Sequence, residues 1–507
     1  MRTKKAVKNL TYNLIFYIIA SLLGFVTRKI FINELGVQIA GLNSLFSSVL
    51  GFLNLAELGI ESAVIFALYK PLAQDEKENI KGIIVFYQRL YRIAGIVILL
   101  LGLISTIFLP FFAKGQVNSH LVKVYFVIYI LNTVVTYLFS SKLSLLNVDQ
   151  KSYIISSIDG IMKILKSVAQ ILILIVYKSF LLYLALEALF SLIYYAYMNR
   201  IINKQYPWLK ECNAVLDSDT KKSIFKNIKA LSYHKIGSFV VYSTDYLVMS
   251  AFSTLSAVGM YSNYIMVINF FLNAIVKMFN GITASIGNLI IEDNSQKNYD
   301  VFKKLFLFNY WIVVFITISL YNTMDYFIAI WLGKQYFVSR FILIIALVNF
   351  YITALRPCVE RFKEAAGIYN EDKYAPIAES IINLGFSILF AKYMGIAGVV
   401  LGTVVSDVAV IFWVKPLLVY KKVFRVSFKN YLLLYGKTLL LAIGILIISS
   451  GILKVLVLPY NFYGFMLNCM LNVVIINLIL ILVFRKTEEY SYLKNLVMSK
   501  FKIKTLN

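Results

Sequence analysis

Charged residues, cysteine and histidine are all scarce in this sequence. Only 15% of its 507 residues are charged and 60% are hydrophobic, whereas a soluble globular chain has about a quarter charged residues. The three cysteines, Cys212, Cys358 and Cys469, are too far apart to suggest a disulfide framework or a metal site. With two histidines and no ATPase, dinucleotide-binding or zinc-protease motif, neither an enzyme nor a protein with a metal or another cofactor is expected.

Long apolar runs, in contrast, follow one another almost from end to end. A helix that crosses a bilayer needs about 20 predominantly apolar residues, and the sequence offers fourteen such stretches. The predicted fold class is therefore all-α, a polytopic membrane protein of about fourteen transmembrane helices. The predicted spans are 11–33, 41–69, 82–109, 121–141, 152–177, 180–203, 230–253, 258–289, 302–322, 337–355, 375–391, 396–420, 431–451 and 462–484.

The net charge of +25 comes from lysines and arginines that are distributed unevenly between alternate loops. By the positive-inside rule, this asymmetry predicts that both termini are cytoplasmic and that the number of spans is even. The basic excess is thus a topology signal, with some attraction to anionic lipid headgroups, and no nucleic-acid partner is expected. The cations assigned to the opposite side are Lys114, Lys123, Lys178, Lys334, Arg340, Lys392 and Lys454.

Weak internal similarity relates the two parts of the chain. Gly41–Asn43 is similar to Gly259–Tyr261, and Asn147–Lys151 is similar to Tyr369–Lys373, at comparable spacings. Because each half would contain six spans, both halves enter the membrane from the same side, which predicts a parallel repeat with a pseudo-two-fold axis along the membrane normal. The predicted domains are an N-terminal six-helix bundle (1–203), a cytoplasmic linker (204–229), a C-terminal six-helix bundle (230–420), two additional transmembrane helices (431–484) and a basic cytoplasmic tail (485–507).

Polar residues inside several spans recur at helical spacing. Ionisable groups at the bilayer centre cost at least about 2.5–3.5 kcal/mol each, so we expect these stripes to face a central hydrophilic cavity. The stripes comprise Arg28 in span 1; Asn54, Glu57 and Glu61 in span 2; Lys163 and Lys166 in span 5; Tyr242 and Asp245 in span 7; and Asn269, Asn273 and Lys277 in span 8.

Each stripe also has a purely structural interpretation. Glu57 and Glu61 could pair with Arg28 or another cation and only hold helices together. Asp159 and Lys163 have the spacing of an ion pair within one helix. Arg28 lies near the end of its span and could snorkel to the interface. Helix pairing and cargo binding therefore both remain open for these residues.

Short motifs, mostly of helix-packing glycines and loop turns, lie along most of residues 1–420. They are Arg28–Phe31, Leu35–Gly36, Gly41–Phe46, Glu57–Ile60, Leu68–Leu72, Ile330–Gly333, Pro376–Leu384 and Gly395–Gly398. In these motifs the chain resembles the polysaccharide flippases for O-antigen and capsule repeat units. Their superfamily also contains the MATE multidrug exporters.

The resemblance implies a MATE-like fold in the cytoplasmic (inner) membrane of a bacterium. The implied cargo is an undecaprenyl-diphosphate-linked oligosaccharide, moved to the outer leaflet by alternating access and coupled to H+ or Na+. Further implied partners are membrane lipid, a polysaccharide polymerase and a chain-length regulator. We expect cargo binding by Arg28, Lys163, Lys166, Lys277, Asn54, Asn269, Asn273 and Tyr242, and ion coupling by Glu57, Glu61 and Asp245.

Three alternatives to this function remain open. A MATE-type antiporter of organic cations would have a mainly acidic cavity. A lipid II flippase would also be expected to have fourteen spans. A membrane scaffold for glycan assembly would not need the charged stripes at all.

Overall fold

A computed structural model describes residues 2–57, 59–211 and 213–504. Side chains are described for the same residues apart from 2–14, 56, 230–231, 233–242, 284, 497 and 499–504. Helices form the described part of the chain, which contains no strand. The α-helices are α1 (Arg2–Leu35), α2 (Val37–Leu53), α3 (Ile60–Ala73), α4 (Lys77–Ala113), α5 (Ser119–Phe139), α6 (Leu143–Val148), α7 (Ser152–Tyr177), α8 (Phe180–Gln205), α9 (Trp208–Glu211), α10 (Ser218–Phe252), α11 (Leu255–Asn280), α12 (Thr283–Ile291), α13 (Ser295–Trp331), α14 (Arg340–Ala365), α15 (Ala375–Met394), α16 (Ile396–Ser406), α17 (Phe412–Val419), α18 (Phe428–Val455), α19 (Phe462–Phe484) and α20 (Glu488–Lys504).

Twelve helical segments of the described chain are long and apolar enough to cross a membrane. Each of them matches one of the fourteen predicted spans, which confirms an all-α, multi-pass membrane protein. The two predicted spans without such a match are 41–69 and 230–253.

The predicted span 41–69 is not one continuous helix, so the prediction is wrong at this point. Helix α2 ends at Leu53, a 3-10 turn covers Asn54–Glu57, and α3 begins at Ile60. Gly59 has a φ angle of 80° in the left-handed region, which glycine adopts without the steric penalty of other residues. The break therefore places the carboxylate of Glu57 at an interruption between two helices.

The predicted span 230–253 lies in α10, which begins at Ser218, earlier than expected. The Asp217 side chain accepts a hydrogen bond of 3.1 Å from the backbone N–H of Thr220 and caps the helix. The segment 204–229, predicted as a linker, thus contains α9 and the first turns of α10.

The chain divides into two compact units. Unit 1 contains Met1–Ser262 and Lys373–Gly402, and unit 2 contains Asn263–Asp372 and Thr403–Asn507. These boundaries differ from the predicted bundles, 1–203 and 230–420. Within unit 1, α10 packs against α2 and α15, whereas within unit 2 α13 packs against α14, α18 and α19.

A reciprocal glycine contact in unit 1 supports the predicted repeat. A Cβ atom added to Gly41 would overlap the carbonyl of Leu255, and one added to Gly259 would overlap the carbonyl of Val37. Adding 218 to the positions of Val37 and Gly41 gives those of Leu255 and Gly259, which is the spacing of the first pair of similar segments. Gly41 thus contacts the equivalent of Val37, and Val37 contacts the equivalent of Gly41. A local two-fold axis produces such paired contacts.

Candidate functional site

In unit 1, the predicted cargo residue Arg28 meets polar groups of two other helices. Its guanidinium donates a hydrogen bond to the Ser262 hydroxyl, and its Cζ atom lies 6.0 Å from the centre of the Phe31 ring. Tyr246 lies near both Arg28 and Asp245. The structure therefore brings the predicted residues Arg28 and Asp245 to one polar region, formed by α1, α10 and the start of α11.

Glu57 lies in a cluster of hydroxyl and amide groups at the break between α2 and α3. Tyr91 donates a hydrogen bond of 3.0 Å to Glu57 Oε1. The Tyr137 hydroxyl lies 3.4 Å from Glu57 Oε2 and 3.1 Å from Asn54 Oδ1. Glu61 lies near the same two tyrosines. We call Asn54, Glu57, Glu61, Tyr91 and Tyr137 the Glu57 cluster.

Glu57 was predicted either to couple an ion or to hold helices together by pairing with Arg28 or another cation, and its partners bear on this choice. Among the described side chains, no Lys, Arg or His forms an ion pair with Glu57, so pairing with Arg28 is not observed. Hydroxyl groups, and not a fixed cation, therefore surround this carboxylate. In the part of the chain that the structure describes, no three His, Cys, Asp or Glu residues are grouped as a metal site would need.

Both predicted lysines of span 5 carry carboxylate partners. Lys163 pairs with Asp159 at 2.6 Å within α7, and Lys166 pairs with Glu187 of α8 at 2.7 Å. Asp159 and both lysines line a cavity of about 160 Å³ that also includes Tyr194. A phosphate that bound here would have to displace these carboxylates, so the two lysines are weaker phosphate ligands than their charge alone suggests.

In unit 2, the predicted residues of α11 lie on one helical face. Asn269 and Asn273 are exposed and Lys277 is half-buried, four residues apart in each case. Exposed amides on a membrane-spanning helix are expected to face water or protein rather than lipid. The side chain of Tyr242, also predicted to bind cargo, lies outside the described residues.

Unit 2 contains a charged group that the sequence reasoning missed. Arg356 of α14 pairs with Asp407 at 3.2 Å, and Glu360 pairs with Lys415 at 2.5 Å. The side chain of Asp407 is only 3% exposed, and it begins a π-helical segment, Asp407–Ile411, of a kind often found at functional sites. We call Arg356, Glu360, Asp407 and Lys415 the unit 2 ionic cluster.

A signal for this cluster was present in the sequence. Asp407 and Lys415 interrupt an otherwise apolar span, and an ionisable residue within a membrane span indicates function by default. Arg356 was assigned to a loop, because the predicted span ends at residue 355. Helix α14 instead continues through Pro357 to Ala365.

A second missed feature is a buried polar face on α15 in unit 1. Glu379, Asn383 and Ser387 follow one another at four-residue spacing and are all buried. The Ser387 hydroxyl donates a hydrogen bond of 3.2 Å to the carbonyl of Val399. Part of this face therefore joins α15 to α16.

An apolar groove of about 450 Å³ lies within unit 2 among α13, α14, α17 and α18. Val348, Leu439 and Leu446 are typical of its lining. Ile352 and Phe412 line both this groove and the smaller pocket that contains Arg356, Glu360 and Lys415. One end of the apolar surface is therefore continuous with the unit 2 ionic cluster.

Solved structures with this arrangement of helices are known. A lipid II flippase, MurJ, in an inward closed conformation aligns with a TM-score of 0.65 and 15% identity, covering 93% of this chain and 98% of its own. The fold is that of MurJ and the MATE transporters. An inward-facing multidrug resistance MATE transporter of the MOP superfamily aligns with a TM-score of 0.56 and 15% identity, covering 80% of this chain and 97% of its own.

A mutant of the Vibrio cholerae MATE transporter VcmN gives similar values. Its TM-score is 0.57 at 14% identity, and the alignment covers 83% of this chain and 97% of VcmN. No protein-family model matches the sequence, and neither does any curated protein. The likeness to these structures establishes the MATE-like fold expected from the sequence motifs.

Proposed function

We propose that this protein is a flippase for undecaprenyl-diphosphate-linked oligosaccharide repeat units. It would move them from the inner to the outer leaflet of the bacterial cytoplasmic membrane for assembly of O-antigen, capsule or exopolysaccharide. The observation that carries this proposal is the apolar groove of unit 2, which is continuous with charged residues. Such a surface suits a lipid with a long apolar tail and a charged head.

The physical chemistry of this cargo explains why both surfaces are needed. Burying the charges of a diphosphate without partners would cost several kcal/mol per charge, so the head must cross among polar groups. Removing the polyprenyl tail from lipid would cost about 0.8 kcal/mol per methylene, so the tail must stay in apolar surroundings. Arg28, Lys163, Lys166 and Lys277 are the four proposed phosphate ligands, and at Lys163 and Lys166 a phosphate would have to compete with the paired carboxylates of Asp159 and Glu187.

The Glu57 cluster is the proposed site of ion coupling. Its carboxylate accepts a hydrogen bond from Tyr91 and lies 3.4 Å from the Tyr137 hydroxyl, so loading a proton or Na+ would change the charge of the break between α2 and α3. Asp245 remains a second candidate because it shares Tyr246 with Arg28. Alternating access would then be driven by the binding and release of this ion.

Lipid II flipping is a second candidate. The structural alignment with MurJ covers 93% of this chain, whereas the alignments with the two MATE transporters cover 80% and 83%. The additional length matched by MurJ favours a lipid-linked cargo over the small cations of a multidrug antiporter. Both flippase functions require the same physical separation of head and tail.

The deciding experiment is depletion of the protein in its host, followed by mass spectrometry of extracted lipid-linked oligosaccharides and immunoblotting of surface polymer. We expect undecaprenyl-diphosphate oligosaccharide to accumulate while surface polymer is lost. Arg28→Ala should reproduce the defect at normal protein levels. Lys29→Ala is the matched control, because Lys29 is an exposed cation one residue further along α1.

Other outcomes would redirect the assignment. Accumulation of lipid II, with rescue of a strain that lacks lipid II flipping, would select the second candidate. Unchanged lipid-linked intermediates together with resistance to cationic drugs would select a multidrug antiporter. Either result would overturn the proposed cargo.

Ion coupling is tested separately in proteoliposomes with dyes that report internal H+ and Na+. We expect Glu57→Gln to abolish cargo-dependent ion movement, because a neutral amide cannot exchange a cation. Glu34→Gln is the control, since Glu34 is a unit 1 carboxylate that already pairs with Lys178 at 2.9 Å. Unaltered ion movement in Glu57→Gln would show that coupling occurs elsewhere.

A further inference from the structure

A second cavity of unit 2, of about 510 Å³, lies where α13, α14, α18 and α19 meet. Its size falls within the range of about 300–1,000 Å³ that is usual for ligand pockets. The positive-inside rule predicts that Arg340 and Lys454, which line it, are on the outer side of the membrane. We call this cavity the outer pocket; its lining includes Tyr321, Asp325, Arg340, Lys454, Tyr460 and Asn468.

The floor of the outer pocket is held by a hydrogen-bonded group of amides. The Asn322 amide donates to Asn472 Oδ1 at 2.8 Å and to the Ser449 hydroxyl at 3.2 Å. The Asn468 amide donates to the carbonyl of Asn322 at 3.1 Å. Ser449, Asn468 and Asn472 are buried, so the floor fixes α13, α18 and α19 together without any ligand.

One wall of the outer pocket is polar and has a fixed geometry. Arg340 Nη1 lies 2.8 Å from Asp325 Oδ2, and Nη2 donates to the carbonyl of Tyr321 at 2.6 Å. The guanidinium also stacks against the Tyr321 ring, with Cζ 4.1 Å from the ring centre. These contacts use part of the hydrogen-bonding capacity of Arg340 and Asp325, whose side chains remain 41% and 20% exposed. Both groups can therefore reach a ligand.

Another part of the lining is aromatic. The rings of Tyr326 and Tyr460 stack with centres 4.6 Å apart, and the Tyr326 hydroxyl donates to the carbonyl of Leu458 at 3.2 Å. Besides Tyr326, the Tyr460 ring has the Phe337 ring at 5.9 Å and Lys334 Nζ at 5.1 Å from its centre, and the 45% of Tyr460 that remains exposed is the part that a ligand can contact. A flat, supported tyrosine presents an apolar surface with a polar edge.

These features together match the chemistry of a sugar. A pyranose ring has an apolar face of C–H groups, which stacks on an aromatic ring. Around its edge are hydroxyls, which act as donor and acceptor and suit carboxylate, amide and guanidinium partners. We infer that the outer pocket binds an oligosaccharide, with a sugar ring against Tyr460 and an acidic sugar substituent near Lys454.

The charge of the outer pocket supports the acidic substituent. Arg340 and Asp325 neutralise each other, which leaves the exposed ammonium of Lys454 as the net charge among the lining residues. A phospholipid headgroup could also use Lys454, but it would have no use for the supported ring of Tyr460. The inference rests on the proposed function, because the glycan carried by the flippase is the saccharide that would reach this pocket after translocation.

The inference is tested by ligand-observed NMR with the full chain in lipid nanodiscs. The probe is the oligosaccharide released by mild acid from the host's own lipid-linked intermediate, compared with glycerol 3-phosphate as a headgroup mimic. We expect the oligosaccharide to bind, and both Tyr460→Ala and Lys454→Glu to raise its Kd about tenfold or more, a loss that corresponds to about 1.4 kcal/mol. Tyr463→Ala is the matched control, because Tyr463 lies three residues after Tyr460 in the first turn of α19, is 69% exposed and is not part of the lining.

Three results would overturn the inference. They are the absence of oligosaccharide binding, equal binding by the Tyr460→Ala and Tyr463→Ala variants, and binding of glycerol 3-phosphate alone. The depletion experiment keeps this test separate from the proposed function. If depletion abolishes surface polymer but Tyr460→Ala binds normally, the outer-pocket inference fails and the flippase stands; if depletion has no effect, the flippase fails whatever the NMR shows.

Discussion

The reciprocal glycine contact gives a prediction whose size follows from the geometry. In Gly41→Ala, the new Cβ would overlap the Leu255 carbonyl oxygen and would lie 2.8 Å from its carbon and 3.1 Å from the Gly259 nitrogen. These are backbone atoms, which cannot turn away as a side chain can. The helices must separate, and overpacking of this kind costs about 1–3 kcal/mol.

The local two-fold relation makes the prediction stricter. Gly259→Ala would overlap the Val37 carbonyl and would lie 3.0 Å from the Gly41 nitrogen, so it should cost about as much as Gly41→Ala. Because one separation of the helices relieves both overlaps, the double variant should lose less stability than the two single variants added together. Such non-additivity is expected for residues in contact.

The measurement is denaturant unfolding of the full chain in detergent, with tryptophan fluorescence as the signal that monitors unfolding. Gly287→Ala and Gly444→Ala are matched controls, because a Cβ at either helical position meets nothing within 4 Å. These controls should be neutral or gain about 0.4–1 kcal/mol through the loss of unfolded-state freedom. If Gly41→Ala were as stable as the controls, the close approach of α2 and α11, and the argument built on it, would be refuted.

Two further predictions concern polar groups inside unit 2. Arg356→Ala leaves the 3% exposed Asp407 without its ion-pair partner, so we expect the free energy of unfolding to fall by about 3–5 kcal/mol in the same assay. Arg425→Ala is the control, because Arg425 and its partner Asp293 are 63% and 80% exposed. Removing that pair should cost less than about 1 kcal/mol. Asn472→Leu removes the acceptor that lies 2.8 Å from the Asn322 amide, so we expect limited proteolysis to cut α19 faster than in the unaltered protein. Arg425→Ala is the control for this assay as well. Equally fast cleavage of α19 in Arg425→Ala would show that the lost Asn322–Asn472 hydrogen bond is not the cause.

The helical class and twelve of the membrane-spanning segments could be predicted from the sequence because hydrocarbon imposes a strong rule. Every backbone polar group in lipid must be satisfied within the segment, so a long apolar run is a helix whatever its neighbours. The same rule says little about interruptions inside the protein. The break at Asn54–Glu57 therefore went unpredicted, although Gly59 marks its end.

Prediction of the candidate site was less complete, for two physical reasons. The stripe analysis located Glu57 and Arg28, but spacing along one helix does not reveal partners on another, such as Tyr91 and Tyr137. In unit 2, the predicted span ended at residue 355, whereas α14 continues through Pro357 to Ala365. Proline is tolerated inside membrane helices because neighbouring groups satisfy the freed carbonyl, so Arg356 lies within the helix and not in a loop.

The amide group on α19 has a consequence for how the chain is made. Synthesis runs from the N-terminus, so Asn322 of α13 enters the membrane well before its partners Asn468 and Asn472 are translated. Until α19 arrives, the Asn322 amide lacks these partners, and polar groups in hydrocarbon favour association with any helix that offers an acceptor. Insertion of α19 thus supplies the last partners of the Asn322 amide, and in a nascent chain that stopped after α18 this polar part of α13 would lack them.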